Sequence, residues 1–139
     1  MTRKGQLTVT GTQRDEAGEE SSTCVSAEAE YYIRDGSHYI LYAEDSPEGT
    51  VKSLIKLRDG ILELTRKGAV GARMVFEPGR EYITLYSTPY GSIPLGILTD
   101  TLESDFQENM LRLRADYTLT SEGMPVSKCK LLIKMLFNP

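Results

Sequence analysis

The chain has 139 residues, enough for one domain and a substantial core, since a chain of this size buries about two-thirds of its unfolded surface. Its net charge of −4 argues against a general nucleic-acid binder, which carries a basic excess. No apolar leader segment and no apolar run of membrane length occurs, so a cytoplasmic protein with no membrane partner is expected.

Gln6 to Arg14 alternates, with Leu7, Val9 and Gly11 on one face and Thr8, Thr10 and Thr12 on the other, as a half-buried strand does. The acidic stretch Asp15 to Ser22 reads as a loop, and Thr23 to Arg34 as a second strand. Asp35-Gly36 is a hairpin signal, because a type I′ turn needs positive φ at both central positions. His38 to Glu44 returns, and Asp45 to Gly49 turns again. In Thr50 to Arg58, Val51, Ser53, Ile55 and Leu57 share a face. A two-residue turn at Asp59-Gly60 pairs Leu57 with Leu62, Ile55 with Leu64 and Ser53 with Arg66. The apolar faces of the two strands coincide, so the register is self-consistent. That register also carries Arg66 onto the apolar face.

Val70 to Glu77 sets Ala72, Met74 and Phe76 against Arg73 and Val75. After Pro78-Gly79, Ile83 and Leu85 alternate with Tyr82, Thr84 and Tyr86, and the pattern leaves open which set faces in. A two- or four-residue loop aligns Met74 with Ile83, and an odd loop aligns it with a tyrosine position. Thr88 to Gly91 is a turn or bulge. Leu95 to Leu102 is a strand and Glu103 to Asn109 a polar connection. Leu111 to Thr120 and Ser127 to Phe137 each gather their apolar residues on one face. An odd-length, bulged connection through Gly123 pairs Tyr117 with Cys129 and Leu113 with Ile133. Strand-like runs with short connections and no helix predict an all-β fold. It is a single antiparallel meander closing into a barrel of about 8–10 strands, with the first and last strands as partners.

Three motifs in order, Arg66-Lys67-Gly68, Arg73-Met74-Val75-Phe76-Glu77 and Ser87-Thr88-Pro89-Tyr90-Gly91, carry a resemblance. Over nearly its whole length the chain is similar to the YwiB-like proteins of Gram-positive bacteria, a family of unknown function. The resemblance implies a calycin-like (lipocalin-type) β-barrel in a bacterial cytoplasm. It brings no activity and no catalytic residues with it. Ligand binding follows from such a fold by analogy alone.

The chemistry on offer is sparse. His38 is the single histidine, too few for a zinc site or a histidine-centred triad, and beside a tight turn it is expected to be exposed. No GxGxxG or GxxxxGK[ST] loop is present, and Cys24 and Cys129 read as two reduced thiols. A non-enzymatic protein with no metal and no cofactor is expected. Arg66 reads either as an interior anchor for an anionic ligand or as one half of an internal ion pair. Glu28, Glu30, Tyr86 and Tyr90 are its candidate partners. Arg73 reads as a surface cross-strand pair beside Tyr82 or Thr84, or as a further interior group. Eight tyrosines against three phenylalanines suit a barrel whose interior is partly polar. Lys128, Lys130 and Lys134 form a basic stripe that guards a barrel seam. The ligand-binding candidates are therefore Arg66, Arg73, Tyr82, Tyr86, Tyr90, Glu28 and Glu30, for a small anionic or amphipathic ligand. The alternative is a filled barrel serving as a scaffold, with a second copy of the chain as its partner. An RNA-associated role through the lysine stripe is the weakest reading.

Overall fold

A computed structural model describes residues 2–68, 71–88 and 90–139. Val70, at the start of the expected sixth run, and Pro89 lie outside them. Ten antiparallel strands carry the fold: β1 (Arg3–Asp15), β2 (Glu20–Arg34), β3 (Ser37–Ser46), β4 (Gly49–Arg58), β5 (Ile61–Gly68), β6 (Ala72–Phe76), β7 (Glu81–Thr88), β8 (Gly91–Phe106), β9 (Met110–Ser121) and β10 (Met124–Phe137). Among the described residues there is no helix.

The strands form one sheet in the order β6-β5-β4-β3-β2-β1-β10-β9-β8-β7, coiled into a nearly closed barrel. The turns set the registers. Asp35 and Gly36 have φ of 51° and 79°, and Asp59 and Gly60 have 49° and 74°, the positive pairs that a type I′ turn needs. The second turn pairs Leu57 with Leu62, Ile55 with Leu64 and Ser53 with Arg66, as the alternation requires. At the last hairpin Glu122 and Gly123 make a third turn of this kind, with φ of 52° and 78°. A bulge between Pro125 and Ser127 supplies the odd residue, so Tyr117 pairs with Cys129 and Leu113 with Ile133. β1 and β10 pair from Gly5↔Phe137 to Asp15↔Ser127, joining the two ends of the chain in mid-sheet.

Alternation sends Leu7, Ile55, Leu62, Phe76, Ile97, Ile133 and Met135 inward, where each is almost fully buried. Their apolar surface is the main favourable contribution to folding. They belong to one contiguous hydrophobic cluster in the barrel interior.

Three expectations are corrected. First, β6 and β7 do not zip into a hairpin, although they are neighbours in sequence. Gly79 N–H donates to Thr99 O, and Thr99 N–H donates to Arg80 O. The connection is thus drawn onto β8, where a bulge between Thr99 and Thr101 displaces Asp100. The open seam of the barrel lies between β6 and β7. Second, Glu103 to Phe106 belongs to the long strand β8 and pairs with Arg114 to Leu111. Polar residues there face water from a strand, not from a loop. Third, Lys128, Lys130 and Lys134 are exposed on β10 in mid-sheet, so they guard no seam.

Candidate functional site

Arg66 sits in a row of directly paired residues that crosses five strands: Gly5, Ala29, Tyr42, Ser53 and Arg66. Directly paired residues share a face, and Ala29, Tyr42 and Ser53 are buried. Arg66 therefore faces inward. Small residues flank both long side chains in this row: Ser53 and Ala72 beside Arg66, and Ala29 and Ser53 beside Tyr42.

The guanidinium donates from Nη2 to Glu44 Oε1 at 2.5 Å. Glu44 lies two residues after Tyr42 on β3, on the same face, and pairs with Val51. Water still reaches both members of the pair: their side chains keep 35% and 21% of their exposure. The rest of the cluster is less well satisfied. Arg66 Nε and Ser53 Oγ are buried without a hydrogen-bond partner. Burial raises the Tyr42 hydroxyl above its usual range, and nearby Ser53 and Arg66 offset part of that rise. Ser53 Oγ lies close to that hydroxyl but outside hydrogen-bonding geometry. A buried donor left unpaired costs about 1–3 kcal/mol.

The other candidates are not gathered there. Glu28 and Glu30 are exposed on the outer wall. Alternation with Ala27, Ala29 and Tyr31 dictates this, and it overturns their assignment as partners of Arg66. Together with Lys4, Leu41 and Lys52 they line an outer concavity of about 520 Å³, with Gly5, Ala29, Tyr42 and Ser53 at its floor. Arg73 is also outside, 3.3 Å from Glu63, a surface pair. Tyr86 is exposed and Tyr90 fully so, so neither lies in the barrel interior. Tyr82 and Thr84 are half-buried while Ile83 and Leu85 are exposed, which decides the face left open by pattern.

Tyr82 and Thr84 instead latch the seam. Tyr82 donates to Glu77 Oε1 at 2.6 Å, a bond that raises the Tyr82 hydroxyl above its usual range. Thr84 Oγ1 donates to Arg73 O at 2.5 Å. His38, expected at the surface, is half-buried. Its Nδ1 is 2.7 Å from the Tyr31 hydroxyl, its ring stacks on Phe106, and burial lowers its pKa. On the opposite side of the barrel, burial and the neighbouring Cys129 hold the Tyr117 hydroxyl well above its usual range. Cys129 is buried and Cys24 exposed, and both are free thiols. Glu44 is the residue that sequence reasoning missed. Alternation through Ile40, Tyr42 and Glu44 was the available signal.

The fold and this cluster define a class: a nearly closed antiparallel β-barrel with a packed centre and an inward arginine–glutamate pair. Residues 7–133 match the family described as Domain of unknown function (DUF1934), and the chain belongs to that family. The uncharacterized beta-barrel protein YwiB of Bacillus subtilis (strain 168) is 29% identical over 89 residues, which are 64% of this chain and 63% of that protein. The chain thus spans less than two-thirds of the curated relative it matches in sequence. The crystal structure of the ywiB protein from Bacillus subtilis superposes with a TM-score of 0.86 at 22% identity, over 99% of this chain and 94% of that one. The resemblance read from the three motifs is upheld, and the likeness in structure is one of fold.

Proposed function

We propose that the protein binds a small anionic or amphipathic molecule at the Arg66 cluster and catalyses no reaction. The observation that carries this reading is the buried, unpartnered Arg66 Nε beside the buried, unpartnered Ser53 Oγ. Two donors with no acceptor suit an oxygen-rich group such as a carboxylate or phosphate monoester. The packed centre restricts the ligand to this end of the interior. Glu44 is then a stand-in that occupies the guanidinium until a ligand carboxylate replaces it. The displaced Glu44 keeps its charge, and its remaining exposure lets water solvate it.

Thermal unfolding in the presence of octanoate, palmitate and an alkyl phosphate tests the proposal, because a ligand of the native state raises apparent stability. The expected result is a concentration-dependent rise in Tm that Arg66→Met abolishes and Glu44→Gln enhances. No shift with any of the three, or a shift that survives Arg66→Met, refutes it.

A further inference from the structure

Tyr82 to Thr99 is a run of 18 residues without a single charge, the longest in a chain that is 26% charged. It makes up nearly all of β7 and the first half of β8. β7 is an edge strand. Such edges are ordinarily guarded by lysine or other charges, because an unguarded edge invites pairing with another chain. This one carries no charge between Tyr82 and Thr88; among the described residues, β6 meets it only through side-chain bonds at Tyr82 and Thr84. Ile83 and Leu85 on one face are 66% and 62% exposed. Tyr86 and Ile93, paired with one another on the other face, are 56% and 46% exposed. The hairpin thus reaches beyond the wall with both faces apolar and wet.

We infer that this hairpin is the surface through which two copies of the chain associate. Contiguous exposed apolar surface marks an interaction site, and charge selects the occupant. At a two-fold axis each residue meets its own counterpart, so a charged patch repels itself, whereas this run meets itself without repulsion. An anionic membrane or a nucleic acid gains nothing here, because the run offers no lysine or arginine and the chain carries −4 overall. Elsewhere on the outer wall the apolar residues are interspersed with charge: Leu132 stands between Lys130 and Lys134. The inference is independent of the Arg66 cluster, which lies on β5.

Analytical ultracentrifugation tests it. The wild type is expected to sediment at twice the 15.5 kDa chain mass. Leu85→Arg and Ile83→Arg should each halve that mass with an unchanged circular dichroism spectrum and melting curve. Leu132→Arg, an equivalent change on the outer face of β10, should leave it intact. Amide exchange in wild-type β7 should slow as protein concentration rises, a readout that needs no variant. A wild type that is monomeric at about 100 µM, where even a weak specific pair associates, overturns the inference. So does a dimer that survives both arginines, or protection that rises on another strand. A monomer that co-sediments with phosphatidylcholine vesicles assigns the hairpin to a lipid surface and overturns it equally.

Discussion

Replacing Arg66 by methionine keeps the length and apolar stem and deletes the charge. In a dry interior the change would strand Glu44 at about 3–5 kcal/mol. At an open surface it would cost about 0–1 kcal/mol. The remaining exposures of 35% and 21% place the pair between these limits, because water can solvate the glutamate left behind. The buried, unpaired Nε also disappears, which returns part of the loss. The expected cost is about 1–2 kcal/mol, a fall of about 3–8 °C in Tm. Glu44→Gln should cost no more, because the amide oxygen still accepts from Nη2. In a double-mutant cycle by urea unfolding at constant m, the two residues should couple by about 1 kcal/mol. A loss above about 3 kcal/mol would mean that Glu44 is sealed from water. A coupling near zero would mean that the ion pair does not form in solution. Either result refutes the reasoning.

The backbone makes a second expectation. A Cβ on Gly5 would lie 2.2 Å from Leu136 O, whereas one on Gly96 would lie 2.0 Å from the side-chain oxygen of Thr120. Backbone cannot step aside, whereas the Thr120 hydroxyl can rotate away at the loss of its bond to Glu81, so Gly5→Ala should cost about 2–3 kcal/mol in urea unfolding and Gly96→Ala less; the reverse order is the refuting result. At the seam, Tyr82→Phe removes the bond to Glu77. Hydrogen exchange of the β6 and β7 amides should quicken while the global unfolding midpoint in urea stays nearly unchanged. His38 is held below its usual value of 6.5 by burial. The unfolded chain therefore accepts a proton that the folded chain resists. Stability from this group is complete above pH 6.5 and declines as the pH falls from there through the folded value. An NMR titration of the ring should give a midpoint below 6.5, and a midpoint at or above it defeats the account.

The registers were legible in the sequence wherever a two-residue turn fixed them. Asp35-Gly36 and Asp59-Gly60 impose positive φ on both residues, and each places every side chain of its hairpin on one face or the other. Arg66 was therefore placed correctly from a turn six residues away. The β6–β7 seam was not legible, because its cause is long-range. Gly79 and Arg80 bond to Thr99, about twenty positions downstream, and no local pattern announces that. Charge complementarity points Glu28 and Glu30 toward Arg66, but alternation along β2 turns both to the outer wall. Glu44 was missed because it stands at the edge of an expected turn, where β3 in fact continues to Ser46. The burial of His38 depends on Tyr31 and Phe106, the second of which lies on a stretch that composition marks as a loop.

The sheet order has a consequence for how the chain folds. Nine pairings hold the sheet, and eight join strands that follow one another in sequence. The ninth, β1 with β10, joins residues such as Gly5 and Phe137, so almost the whole chain must close into a loop before it forms. Such closure slows folding, because its entropy is lost before the contacts reward it. Asn138 N–H bonds to Lys4 O at 2.9 Å, so a short linker could join the two ends. A new start cut between Pro78 and Arg80 would then give the chain order β7-β8-β9-β10-β1-β2-β3-β4-β5-β6, in which every paired strand is a neighbour in sequence. The rearranged chain should refold several-fold faster than the natural one while burying the same core. The natural break in the barrel is thus the place where the chain would begin if folding speed alone had set its ends.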